Sequence, residues 1–506
     1  VTACIDTDTA LTIDTVAAIA DGTPVTVGER TRARMAASER YAREQVDGGQ
    51  GVYGWTTGFG PFLDYDVGAA AGPLLQRRLL AHLATGTGVP LPTRTVRAIM
   101  AARLGTLALG ASAARPAVSD QLAAALNAGV VPVVPAQGTV GASGDLTPLA
   151  HIALALTGEG EADVDGTRLP ASSALERCGL APLELAGRDG LALVNGTSAM
   201  TGIAALNGVT ALRACETAIL HAALYTRVMG GTERAFDARL GAMRPHPGQQ
   251  HVHTRLNDLL EDPTASWTSA EQLQDPYTLR CAPQILGAVH DQLGWHDATV
   301  ATELESVTDN PIFLPADEAV IHSGNFQGQH VAFAADGLSN AVLKIAELAE
   351  RRLARVTDPA LNNGLPAFLA GGTPGLDSGF MGAQVTASAL LAEMRTKAVP
   401  ASVQSVPTNA NNQDIVSMGT IAARKTADLL NDCFKILAIE AMALTQAAEL
   451  RAGGVPEPCE DRPLASWCAW VRAHSPALTT DRALSSEIGR LADRLQETSA
   501  TRPWVS

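Results

Sequence analysis

The chain has 506 residues, 46% hydrophobic, 4% aromatic and 18% charged, and its 52 acidic against 37 basic side chains leave a formal charge of −15. That balance argues against a nucleic acid or an anionic membrane as partner, because either would require a basic surface. Seven cysteines with no CxxC pair supply neither a zinc framework nor an evident disulfide scaffold, so no metal is expected and a reducing, cytoplasmic setting is the simpler reading.

Abundant alanine with few aromatics favours helices packed through small side chains. Residues 1 to 50 are mixed in pattern and run out in VDGGQG at 46 to 51, a flexible approach to VYGWTTGFG at 52 to 60. After LLQRRLLAHLATGTG at 74 to 88 comes GTVGASGDLTPLAHIALALTGEG at 138 to 160, whose apolar run predicts a helix over Leu146 to Leu156 with Asp145 as its cap. Further on, Leu338, Val342, Ile345, Ala349 and Leu353 recur at spacings of three and four, and Leu430, Phe434, Leu437, Ala441, Leu444 and Ala448 form a second such stripe. These predict long helices in a bundle. No uninterrupted apolar run reaches membrane-spanning length, and the N-terminus lacks a basic segment followed by an apolar one.

The chemistry concentrates in Ala142-Ser143-Gly144. Gly144 has no Cβ, so its nitrogen can fold back onto the Ala142 carbonyl through backbone angles closed to other residues. Two dehydrations, one removing the Ser143 hydroxyl, would leave a 4-methylideneimidazol-5-one ring with an exposed electrophilic carbon. Asp145 is placed to assist a proton transfer, and a helix N-terminus aimed at the ring would make it more electron-poor. Taken alone the triplet carries little, since chance supplies one in roughly every two or three chains of this size.

Its surroundings change that. The 52–60 and 138–160 blocks, GLALVNGT at 190 to 197, RPHPGQ at 244 to 249, QDPYTLRCAPQ at 274 to 284, TDNP at 308 to 311, SGNFQGQ at 323 to 329, SGFMGAQVTASAL at 378 to 390 and NNQDIVSMGT at 411 to 420 occur in one order. In that order they resemble the histidine, phenylalanine and tyrosine ammonia-lyases and the related aromatic aminomutases. The resemblance implies a mainly α fold: a long-helix bundle of the ammonia-lyase type, with a mixed N-terminal region over 1–200 carrying the cofactor loop. Residues 201–455 would form the central bundle and 456–506 a helical appendage. It also implies the self-formed ring as cofactor and a homotetramer whose active sites combine loops from more than one chain.

By the same resemblance, the substrate amine attacks the carbon contributed by Ser143, which turns a poor leaving group into a good one. Tyr53 takes the weakly acidic proton on C3; a phenol is a poor base at neutral pH, so hydrogen bonds or positive charge must stabilise its phenolate. Arg280 matches the arginine that holds the substrate carboxylate through two parallel hydrogen bonds. Tyr277 falls near the ring or a second proton transfer, and Asn195, Gln274 and Asn310 are polar contacts to the ring oxygen or substrate. Phe326 packs beside the ring.

Two places address substrate choice. Histidine-specific relatives read QED in the late block, whereas this chain reads Asn412-Gln413-Asp414, so the glutamate that would pair with an imidazole is absent. The pair His82-Leu83 resembles the His-Leu pair of tyrosine-specific lyases, and an imidazole left unpaired against a bare phenyl ring would cost roughly 1 to 3 kcal/mol. The sequence therefore reads as a tyrosine ammonia-lyase giving 4-coumarate. Tyrosine 2,3-aminomutase giving β-tyrosine stands as the alternative, ahead of phenylalanine or histidine ammonia-lyase and of a noncatalytic helical assembly protein. Pro61 after GFG leans towards the lyase, and the NNQDIVSMGT context towards aminomutases.

Overall fold

The computed structural model describes residues 2–6, 9, 11–261, 273–373, 375–454 and 462–497. Eighteen α-helices dominate these residues, and the strands are short pairs or a three-stranded ribbon rather than a central sheet. The mainly α expectation holds for a reason visible in composition: small residues let helices approach closely. Gly202 is one such point, where an added Cβ would lie 2.8 Å from the Ile99 backbone in helix Thr93–Ala108.

Two compact units divide the chain. The first takes residues 1–209, 296–336 and 400–424; the second takes 210–295, 337–399 and 425–506. Four helices, Ser198–Met229, Ala282–Leu304, Gln329–Thr357 and Gly419–Ala452, contain four of the five boundary points; the fifth, between 399 and 400, lies between helices.

In the second unit both periodic stripes face inward. Leu338, Val342, Ile345, Ala349 and Leu353 have no exposure, and the Leu430 to Ala448 set is equally buried, all within one hydrophobic cluster. Burying each of the Leu, Val, Ile and Phe side chains in these stripes contributes about 1.5–3 kcal/mol of transfer free energy, which offsets the cost of ordering the long helices. Of the C-terminal region, helices Pro463–His474 and Ser485–Glu497 pack into this cluster through Trp467 and Leu491. Residues 455–461 and 498–506 lie outside the described part.

The first unit has its own core, built on helix Thr93–Ala108 and helix Leu146–Leu156. Two strand pairings tie distant sequence to the predicted cofactor loop. Thr87–Pro90 runs antiparallel to Pro135–Gln137, just ahead of residue 142, and Gly144 forms an isolated bridge with Gly196. Helix Ser198–Met229 is long and apolar enough to cross a membrane, but 78% of its apolar window is buried inside the protein, as a core helix would be.

Candidate active site

The 142–144 segment is held in a conformation that few sequences tolerate. Ser143 has φ +49 and Gly144 φ +72, both left-handed. A Cβ on Gly144 would fall 2.0 Å from the Gly196 carbonyl oxygen, so only glycine fits. The segment is strapped from two sides. Asp145 N–H donates to the Gly196 carbonyl at 2.7 Å and Gly196 N–H to the Ser143 carbonyl at 3.3 Å. On the other side, Met418 N–H reaches the Val140 carbonyl at 2.9 Å, and the Ser417 hydroxyl donates to the Gly141 carbonyl at 3.4 Å.

Asp145 behaves differently from expectation. Helix Leu146–Leu156 does begin after it, and its carbonyl accepts from Leu149 N–H at 3.2 Å, yet its side chain makes no cap to that helix. The carboxylate instead accepts from Met200 N–H at 2.7 Å, in the first turn of helix Ser198–Met229, and from the Thr420 hydroxyl. Two helix N-termini thus start beside the tripeptide, and the acid satisfies the one that comes from farther along the chain. Full burial pushes its pKa up to about 6, and the hydrogen bonds from Thr420 and Met200 only partly oppose this.

Tyr53 stands in a loop of the same unit. Its hydroxyl oxygen accepts the Gly60 N–H at 3.1 Å, and its ring meets Phe59 and His322 edge-on at 6.1 and 6.4 Å. Buried Gln76 fixes the loop, donating to the Gly54 carbonyl at 2.7 Å and accepting from Leu191 N–H at 2.8 Å. A turn carrying Asn409, Ala410 and Asn411 in left-handed conformations comes close to Gly60, where an added Cβ would lie 2.7 Å from Asn409 Nδ2. Gln413 closes that turn, accepting the Thr408 hydroxyl at 2.8 Å.

Asn195 is buried directly behind the tripeptide's partner Gly196. Its Nδ2 donates to Asp309 Oδ1 at 2.7 Å and to the Asn310 carbonyl at 3.2 Å, while its own carbonyl accepts from Arg103 at 2.9 Å. The Asn310 side chain accepts from Ser323 N–H at 2.8 Å, which pins the start of the loop bearing half-buried Phe326. That loop ends at Gly328, where an added Cβ would come 3.1 Å from Thr197. His82 is exposed in the last turn of helix Gly72–Leu83, its Nδ1 3.2 Å from the Arg78 carbonyl, and Leu83 packs on the core edge. The segment after them is anchored by Gly86 N–H donating to His151 Nε2 at 3.2 Å.

The structure therefore gathers Tyr53, Ala142 to Gly144, Asn195, Asn310, Phe326 and Gln413 in the first unit, with His82 and Leu83 at the edge of that unit's core. Gln274, Tyr277 and Arg280 belong to the second. There Gln274 and Tyr277 are exposed, and the Arg280 guanidinium stacks 4.9 Å over the Tyr277 ring. No group of three or more metal-ligating side chains exists among the described residues.

Sequence reasoning missed Arg103, Arg188, Asp309, Gly196, Gln76 and Thr420. Gly196 and Asp309 sit inside quoted blocks, GLALVNGT and TDNP, so their signal was present as neighbours of named asparagines. Arg103 and Gln76 carry no local signal, because each acts on backbone roughly 20 to 115 residues away.

A tripeptide held left-handed by long-range straps in a mainly helical protein is the arrangement expected of an amino-acid lyase, and the comparisons show that class. The aromatic amino acid lyase profile matches residues 11–472. The tyrosine ammonia-lyase of Cereibacter sphaeroides is 45% identical over 98% of both chains, and the histidine ammonia-lyase of Gloeobacter violaceus 41% identical over 96% of this chain and 94% of that one. Among solved structures, tyrosine aminomutase from Streptomyces globisporus superimposes with a TM-score of 0.92 at 36% identity, covering 98% of this chain and 97% of that one. Phenylalanine aminomutase of Pantoea agglomerans gives 0.94 at 32% identity, covering 99% and 100%. The chain belongs to the aromatic amino acid lyase family.

Proposed function

We propose that this enzyme eliminates ammonia from L-tyrosine to give 4-coumarate, with Ala142-Ser143-Gly144 cyclised to a 4-methylideneimidazol-5-one. The observation that carries the reading is the left-handed Ser143-Gly144 pair locked against Gly196, a cradle that fits the ring and excludes any residue but glycine at 144. When formed, the ring supplies an electrophilic carbon that accepts the substrate amine and makes it a good leaving group.

The chain's own residues supply the rest. Tyr53, its oxygen already bonded to the Gly60 amide, takes the C3 proton. Arg280 holds the carboxylate with its planar fork, with Tyr277 stacked on it as the second proton-handling group. Asn195, Asn310, Gln274 and Gln413 orient polar atoms of the substrate or ring, and Phe326 covers the ring. His82 and Leu83 select the phenol. A cytoplasmic homotetramer completes the proposal, each site drawing residues from more than one chain.

Tyrosine 2,3-aminomutase is the second reading, favoured by the two aminomutase structures to which the fold is similar. It needs the same base, arginine and tripeptide but retains the acrylate. Incubating the purified protein with tyrosine, phenylalanine and histidine and identifying products by mass spectrometry separates these outcomes. The lyase reading expects 4-coumarate and free ammonia from tyrosine. β-Tyrosine supports the mutase, and no turnover of any of the three removes both.

A further inference from the structure

We propose that Arg188 is a positioning residue for the elimination, acting through Asp309 to fix the Asn195 side chain beside the tripeptide; the inference rests on the lyase reading above. Arg188 and Asp309 have no solvent exposure. Both terminal nitrogens of the guanidinium meet both carboxylate oxygens, at 2.8 and 2.9 Å, a fork that a lysine cannot reproduce. The same nitrogens also donate to the Ser112 carbonyl at 2.7 Å and to the Asn310 carbonyl, so the arginine itself has little room to turn.

Asp309 passes this order on. Its Oδ1 accepts from Asn195 Nδ2 at 2.7 Å and from the Asn310 N–H at 2.6 Å. A carboxylate can only accept, so the amide must present its NH2 to Asp309 and turn its Oδ1 away; a flipped amide would set oxygen against oxygen. Arg103 grips the backbone of the same residue, donating to the Asn195 carbonyl at 2.9 Å and to the Ala192 carbonyl. Gly196 follows, and an added Cβ there would lie 2.5 Å from both Arg103 Nη1 and the Thr308 carbonyl. Between them the two arginines and Asp309 set the side chain of 195 and the backbone of 196 that faces Gly144.

A buried ion pair contributes little net stability against a well-packed apolar replacement, so what this one supplies is orientation. A double-mutant cycle tests the idea. Arg188→Lys keeps the charge and loses the fork. In the native background it is expected to lower kcat about ten-fold with KM changed less than about three-fold, while intact mass still shows the two-water loss. In an Asn195→Ala background the same substitution should cost less than about two-fold, because its target is gone. An equal loss in both backgrounds overturns the proposal and leaves Arg188 a purely structural residue. Loss of the two-water signature in Arg188→Lys also overturns it, moving the residue to ring formation. Should Arg188→Lys fail to fold, Asp309→Asn carries the same cycle with the same two outcomes. A native chain with neither turnover nor two-water loss defeats the lyase reading first and is told apart by that control.

Discussion

At Gly144 a single methyl group would meet the Gly196 carbonyl at 2.0 Å, closer than any non-bonded contact, so the left-handed turn hangs on one missing atom. Gly144→Ala is expected to fold with an unmodified tripeptide, and Ser143→Ala to keep its fold and lose turnover; intact mass and a product assay read both. Tyr53→Phe keeps the aromatic ring but removes the proposed proton acceptor, with an expected loss of about 10²- to 10⁴-fold in kcat. Replacing His82 by Phe should move the kcat/KM ratio from tyrosine towards phenylalanine, and an unchanged ratio would remove His82 from the specificity argument. Asp145 makes a pH prediction. Its folded pKa of about 6 lies above the unfolded carboxylate value, so the native state binds a proton first as pH falls. Its ionisation therefore destabilises the fold as pH rises from about 4 to 6, by roughly 3 kcal/mol at most, and this cost persists above pH 6. Urea midpoints of Asp145→Asn compared with the native chain at pH 5 and pH 7 should show the variant gaining more at pH 7. The residue types here were legible in sequence, but the partners were not. Asp145 looked like the cap of its own helix because local pattern cannot reveal a hydroxyl 275 residues away at Thr420.

The helices were legible in proportion to their amphipathicity. Gln329–Thr357 presents one apolar stripe to one cluster, so its period of three and four could be read directly. Helix Ser198–Met229 gave no stripe, because it is buried on most of its circumference and nearly every position is small or apolar. Close approach replaces amphipathic pattern there. Gly202→Val would drive side-chain atoms into the backbone of residues 98 and 99 and is expected to cost about 1–3 kcal/mol, measured as a lowered unfolding midpoint. Leu437→Ala in helix Gly419–Ala452 leaves a cavity in a fully buried stripe and should cost about 2–5 kcal/mol. The short strands were not anticipated, since two to four residues are too few to show alternation, yet the pair Thr87–Pro90 with Pro135–Gln137 is what anchors the segment after His82.

For the molecule as a whole, the tripeptide belongs to one unit and Tyr277 and Arg280 to the other. If sites are shared between chains, co-expressed Ser143→Ala and Arg280→Ala chains, each inactive alone, should recover up to about a quarter of native activity. Sites completed within one chain would recover none. Composition foretold the helical class, and ordered motifs foretold the family; neither could foretell the straps, which are properties of folded distance. Those straps also set a timetable. Residue 143 is translated long before Gly196, Ser417 and Met418, yet its carbonyl accepts from Gly196 N–H, and the neighbouring Val140 and Gly141 carbonyls accept from Met418 and Ser417. On the proposed cyclisation, the nascent chain lacks two of these straps until about residue 420 has been translated, and ribosome-released fragments ending before 417 are expected to carry the full tripeptide mass. On that proposal, maturation of the electrophile would double as a proofreading mark, written only on chains that have folded through both ends of the first unit.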